Sequence, residues 1–225
     1  MKLLISALLV AVAVAIKHSS VHSFVDVSSA SVVRTITTVH LEEPLAAADA
    51  YLVSVPNAVF VKAECDKSCT VGKVSSGGGD DLSITSKKGA QVITVTYAAT
   101  RAQKAMPEAV EQVPKSSKDA STQYLVYSRP LGFPTPYPTA SQTVAFRMPN
   151  SDIKSATPIS PIDKKGKHVT YGPFDDSKKD SIVTLHYQTN HAILNAEYWR
   201  TVQVSQWAGT LSFEDRYVIH HDGAK

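Results

Sequence analysis

Cysteine is nearly absent: Cys65 and Cys69 are the whole complement of 225 residues. Two thiols four positions apart need two further ligands for a zinc site, and none lies nearby. Their spacing is not the C-x-x-C of a redox pair either. No Asn-x-Ser/Thr sequon occurs, so the chain offers no N-glycan acceptor. A dominant charge is missing as well. The net charge is +3 and the basic residues are scattered, which argues against a nucleic-acid partner. General disorder is excluded by a hydrophobic content of 43% against 19% charged residues. Beyond residue 16 no stretch approaches the ~20 apolar residues of a membrane span.

Catalytic signatures are missing too. "VGKVSSGGG" lacks the order of a Walker A loop, and Gly77-Gly78-Gly79 reads as a flexible tip within a loop over 75–81. There is no G-x-S-x-G elbow and no H-E-x-x-H helix. The densest ligand-like group is His220-His221-Asp222. Consecutive strand residues point to opposite faces, so these read as surface histidines, as do His186 and His191. The pairs Asp80-Asp81 and Asp175-Asp176 read as solvated turns, and Lys164-Lys165-Gly166-Lys167 as a solvated loop. No catalytic, cofactor-binding or metal-binding residue is expected. The residues describe a binding or scaffolding module.

The chain opens on a secretory leader. One early lysine, Lys2, precedes an apolar run from Leu3 to Ile16. That run makes a helix of roughly 21 Å, short of the ~30 Å that a spanning helix must cross. Small residues at Ala13 and Ala15, or Val21 and Ser23, offer two cleavage sites, and residues 1–23 are set aside as leader. Without Lys2 and Lys17 the charge of +3 falls to about +1. Beyond the leader the compartment is oxidising, so a local Cys65–Cys69 disulfide is favoured over free thiols.

The rest reads as strands. "SVVRTITTVHLE" (31–42) alternates, and "AYLVSV", "VFVKAE", "LSITS", "QVITVTYA", "TQYLVYS", "SQTVAFRM" and "SIVTLHYQT" follow at short spacing. Pro107 and Pro114 limit the Ala-rich stretch 99–121 to a short helical turn at most. "RTVQVSQWAGTLSFEDRYVIHH" reads as a hairpin with Val202 and Val204 facing Leu211 and Phe213. The expected fold is all-β: an antiparallel β-sandwich over 24–190, then the first hairpin of a second, incomplete β domain over 191–225. "PLGFPTPYP" (130–138) sits between two strands. It reads as a rigid, aromatic-bearing connection, with Phe133 and Tyr137 pinning it to the sandwich.

An ordered set of motifs resembles the ribophorin I family, subunit 1 of the oligosaccharyltransferase complex. The set is Pro136-Tyr137-Pro138-Thr139, Gln142-Thr143, Tyr171-Gly172-Pro173-Phe174, and the turn around Trp207 and Gly209. "FVDVSSASVVRTITTVHL" is similar to the family's opening strand. Gln206 and Ala208 depart from the residues usual beside that tryptophan. The resemblance covers residue 24 to the end and implies structural roles for its motif residues. It implies a non-catalytic subunit on the lumenal side of the endoplasmic reticulum, with chemistry left to a separate multi-span subunit. Other complex subunits would be its partners, with nascent polypeptides a further candidate. Membrane attachment would come only through a C-terminal span that this chain does not contain. The alternative is a secreted β-sandwich recognition or adhesion module.

Overall fold

A computed structural model describes residues 16–46, 49–55, 58–76, 79–86, 88–108, 123–191 and 193–221. Among these, sixteen strands and one short 3-10 turn (Asp176–Lys178) make up the regular structure. The strands are β1 (His18–Asp26), β2 (Val32–Leu41), β3 (Ala50–Ser54), β4 (Ala58–Cys65), β5 (Cys69–Ser76), β6 (Gly79–Ser86), β7 (Val92–Thr100) and β8 (Gln103–Ala105). There follow β9 (Gln123–Pro130), β10 (Gln142–Arg147), β11 (Ile153–Ala156), β12 (Ile162–Lys165), β13 (His168–Phe174), β14 (Ile182–Thr189), β15 (Leu194–Ser205) and β16 (Thr210–His221). The fold is all-β. No helix among the described residues is long and apolar enough to cross a membrane.

Period-two alternation in β1, β2, β7, β10 and β13 gives one seven-stranded sheet, in the order β12-β13-β10-β1-β2-β7-β4. All its pairs are antiparallel except β1 with β10, which run parallel from Val21↔Gln142 to Asp26↔Arg147. Register puts Phe146, Val25, Thr35 and Tyr97 in one row across four strands. Val144, Ser23, Thr37 and Val95 form the next row. All eight are buried, so this is the inner face.

Two small sheets provide the apolar cover for that face. The sheet β11-β14-β9-β8 contributes Leu125, Tyr127, Val183, Leu185 and Tyr187 to a core with Val25, Phe146 and Tyr171. The sheet β3-β6-β5 contributes Tyr51, Val53, Leu82 and Ile84 to a second core with Val21, Val39, Ile93 and Val95. Between the cores the inner face turns polar, and Ser23 Oγ and Thr37 Oγ1 satisfy each other at 2.9 Å. Hydroxyls buried there need a partner, and the direct cross-strand pair supplies one.

Several sequence expectations change in detail. The loop over 75–81 is an extended hairpin, with Ser76 opposite Gly79; Gly77 and Gly78 lie outside the described residues, as does Asp222. The lysine-rich run is the end of β12 plus a turn at Gly166, whose φ is 56°. Instead of a helical turn, 103–105 is the edge strand β8, while 109–122 lie outside the described residues. Residues 18–23, set aside with the leader, form the first part of β1. Cys65 and Cys69 are bonded, with Cα atoms 6.0 Å apart, and link the end of β4 to the start of β5.

The hairpin β15–β16 stands by itself as a two-stranded sheet. It pairs Val202 with Phe213 and Val204 with Leu211. Its residues are exposed except for Asn195 and Val218, which are partly covered. One face carries Leu194, Tyr198, Val202, Val204, Leu211, Phe213, Tyr217 and Ile219, with the Arg200–Asp215 pair at its centre. The other face carries Glu197, Thr201, Gln203, Ser212, Glu214 and Arg216 around Trp199. Arg200 also lies 5.6 Å from the centres of both the Tyr198 and Phe213 rings.

Candidate functional site

The proline segment crosses from one core to the other. Leu131 belongs to the core under β9 and β14, while Phe133 belongs to the core under β3 and β6. Both are buried. Four prolines cannot continue a strand ladder, so the backbone groups here find partners in neighbouring elements. Leu131 and Gly132 donate to the Ser181 and Lys179 carbonyls, both at 2.8 Å. Pro134 O accepts from Ser54 N at 3.3 Å, and Pro138 O accepts from His18 N at 3.0 Å. Lys179 Nζ donates to Thr135 O. Gly132 is required by a close approach: a Cβ there would lie 2.8 Å from Lys179 Cα.

Side chains from the expected motif residues close this arrangement. Tyr137 stacks on Tyr51, with ring centres 5.1 Å apart. Its hydroxyl donates to Ala50 O and accepts from Leu52 N, each at 3.1 Å, so it ties the segment to β3. Gln142, 1% exposed, accepts from Phe133 N at 3.1 Å and donates to Asp176 at 2.9 Å. The second Asp176 oxygen accepts from Thr139 N at 2.7 Å. Asp175 caps the 3-10 turn by accepting from Ser177 N at 3.0 Å. Asp175-Asp176, expected as a solvated turn, is therefore a cap followed by a brace. The bracing role of Asp176 has no local signal in the sequence; the cap-type signal before Ser177 belongs to its neighbour Asp175.

His18 completes the cluster from β1. Its Nδ1 lies 2.9 Å from Thr139 Oγ1 and its Nε2 lies 3.1 Å from the Tyr51 hydroxyl. Burial drives its pKa down to about 4; Asp176 pulls it up and Lys179 pushes it further down. The imidazole is therefore neutral in the fold. Unfolded, it takes a proton near its ordinary 6.5. Between those values the unfolded chain binds more protons, so stability falls as pH drops from 6.5 toward 4. The loss should be on the order of 3 kcal/mol. Urea unfolding at both ends of the window should show His18→Gln lacking that part of the acid sensitivity. An unchanged slope would remove His18 from the cause.

The YGPF motif abuts the same network. Tyr171 is buried, packs edge-on to Phe146 with ring centres 5.8 Å apart, and donates to Thr157 O at 2.9 Å. Phe174 is buried opposite Gln142, whereas Pro173 is exposed. In the proline segment Pro136 and Pro138 are exposed, and Thr143 is half-buried. The structure thus gathers PYPT, QT and YGPF around one brace. Trp207 and Gly209 are not part of it: they form the tip of the lone hairpin, with Trp207 fully exposed.

Beside the proline segment lies a cleft of about 720 Å³. Tyr97, Tyr127, Gly132 and Pro134 line it, together with Arg101 and Arg129. Arg101 has φ 55°, alone among the described non-glycine residues in that region. Among the described residues, no carboxylate, imidazole or thiol lines the cleft. Its lining also includes the Thr100 and Ser128 hydroxyls. Elsewhere among the described residues, no three His, Cys, Asp or Glu side chains gather into an ion site. His220 and His221 sit opposite Asn195 and Leu194 on successive positions of β16.

Comparison with known proteins separates sharply by type. Two solved structures overlap the chain loosely. An M1 zinc metallopeptidase from Deinococcus radiodurans reaches TM-score 0.41 at 13% identity, over 91% of this chain and 47% of that one. An aminopeptidase N family protein from Idiomarina loihiensis reaches 0.39 at 10% identity, over 80% and 30%. Likeness at that level carries no chemistry across. Sequence relatives are more consistent. The dolichyl-diphosphooligosaccharide–protein glycosyltransferase subunit 1B of Arabidopsis thaliana is 26% identical over 123 residues, 53% of this chain and 26% of the relative. Its namesake in Oryza sativa is 26% identical over 124 residues, 54% and 26%. Subunit 1A of Arabidopsis thaliana is 30% identical over 94 residues, 40% and 15%. Each match therefore spans about a quarter or less of a longer relative. The Ribophorin I family model matches residues 16–225. With nearly its whole length inside that match, the chain belongs to the ribophorin I family.

Proposed function

We propose that the chain supplies the N-terminal lumenal part of a non-catalytic oligosaccharyltransferase subunit. It would act in the endoplasmic reticulum, where that complex transfers oligosaccharide from dolichyl diphosphate to Asn side chains. Family membership over residues 16–225 is the observation that carries the reading. The relatives named as subunit 1 of that transferase agree with it. The site geometry is compatible: the conspicuous motifs brace a scaffold, and a cleft lies beside them.

The two-faced hairpin fits an assembly role. Its apolar face holds eight large hydrophobic residues, all exposed. A two-stranded ribbon is marginal in water, so such a face is built to be covered. On this reading it is the first hairpin of a second β domain. The catalytic multi-span subunit is the main partner, with nascent polypeptides as candidates for the scaffold's surface. Attachment to the membrane would come through a C-terminal span.

Affinity purification of the tagged chain from detergent-solubilised microsomes tests this directly. The catalytic subunit should co-purify. Export past the endoplasmic reticulum without that association would sink the proposal and favour a secreted recognition module.

A further inference from the structure

We propose that the leader is cut between Ala15 and Ile16, so that the mature chain starts at Ile16. The sequence offers two small-residue sites, Ala13-Val14-Ala15 and Val21-His22-Ser23. The folded protein separates them, because the segment Ile16–Ser23 is built into the domain.

β1 is an interior strand, with β10 on one side and β2 on the other. A cut after Ser23 would remove His18–Ser23, six of its nine residues. Gln142, Thr143 and Val144 would lose their partners on β10, as would Thr37, Thr38, Val39, His40 and Leu41 on β2. Backbone groups in the middle of the large sheet would then stand unpaired, at a cost for each. The inner face would lose Val21, 1% exposed, and Ser23, 4% exposed. His18, 0% exposed, would leave its contacts with Thr139 and Tyr51 and open a hole under the proline segment.

The two residues before β1 are used as well. Lys17 O accepts from Glu42 N at 3.0 Å, and Ile16 packs against the second core. The match to the family also begins at residue 16. On the leader side, Ala13 and Ala15 fit the small-x-small pattern read by a signal peptidase. The reaction is a hydrolysis. The Ala15–Ile16 amide C–N bond breaks, water supplies hydroxyl to the Ala15 carbonyl carbon, and its proton goes to the Ile16 nitrogen. The products are a C-terminal carboxylate on the leader and a free α-amino group on Ile16. The leader is then 1–15, and 16–23 belong to the domain.

Translation of the full chain with endoplasmic reticulum microsomes, followed by N-terminal sequencing, is the test. Ile16-Lys17-His18 is the expected start. A start at Phe24, at any other residue, or at an unprocessed Met1 overturns the proposal. Ala15→Arg should abolish the Ile16 product, and an undiminished Ile16 product from that variant would also overturn it. Both readouts are made on denatured polypeptide, so a folding defect cannot mimic either result.

Discussion

Phe133→Ala should destabilise the protein by about 3–5 kcal/mol, as full truncation of a buried aromatic does. Denaturant unfolding of the chain from Ile16 would read it as a lowered midpoint with little change of slope. Phe133 is 1% exposed and sits in the second core, although it belongs to a connection and not to a strand. Its own N–H is held by Gln142, so the backbone cannot readily shift to refill the hole. The control is Pro136→Ala in the same connection. Pro136 is exposed, and its replacement should cost no more than about 1 kcal/mol, through unfolded-state entropy. If both variants unfold like the parent, the segment is a tether and the argument for a fixed clamp fails.

That contrast explains what could be read from the residues. Alternation located β2, β3, β4, β6, β7, β9, β10 and β14, because each carries apolar residues at every second position over part of its length. It gave no sign of β8, β11 and β12, which have three or four residues each and lie at sheet edges. β1 was hidden for another reason: its first residues look like the end of a leader, and only pairing on both sides exposes their role. The parallel pairing of β1 with β10 joins residues more than a hundred positions apart and leaves no local mark. The motif residues were visible as motifs, but their brace was not. Asp176 reaches back to Thr139 and Gln142 over more than thirty positions, which no spacing rule anticipates.

The division of the inner face into two cores has the same origin. Val33, Thr35, Thr37, Val39 and Leu41 share one side of β2, yet Val33 joins one core while Val39 and Leu41 join the other. The threonines between them mark the boundary, and Thr37 takes Ser23 as its partner. A reading of β2 alone sees a β-prone residue at each of those positions. Only the positions of the two small sheets make the threonines a seam. The proline segment spans that seam with Leu131 on one side and Phe133 on the other, which gives it a structural task that a plain strand could not perform.

Gly172→Val is expected to be the most damaging change in the YGPF motif. Gly172 has φ +117°, a region that L side chains rarely adopt. Space is denied too: a Cβ there would lie 2.6 Å from Gln142 O and 3.0 Å from Thr143 Cα, both backbone atoms of β10. Backbone strain of this type costs about 1–3 kcal/mol, and forced overpacking adds about 1–3 kcal/mol more. The two are not independent, because moving β13 away from β10 would relieve the contact only by breaking the Val144↔Tyr171 register beside it. It would also pull on Gln142, and through it on Phe133 N and Asp176. Damage at Gly172 should therefore spread to the proline segment. Hydrogen exchange should show lost protection at Phe133 and Thr139 as well as along β13. Gly166→Val is the matched control: its φ is also positive at +56°, but a Cβ there meets nothing within 4 Å. It should cost the strain alone. Equal losses for the two variants would mean that the contact with β10 contributes nothing, and that the YGPF motif is independent of the brace.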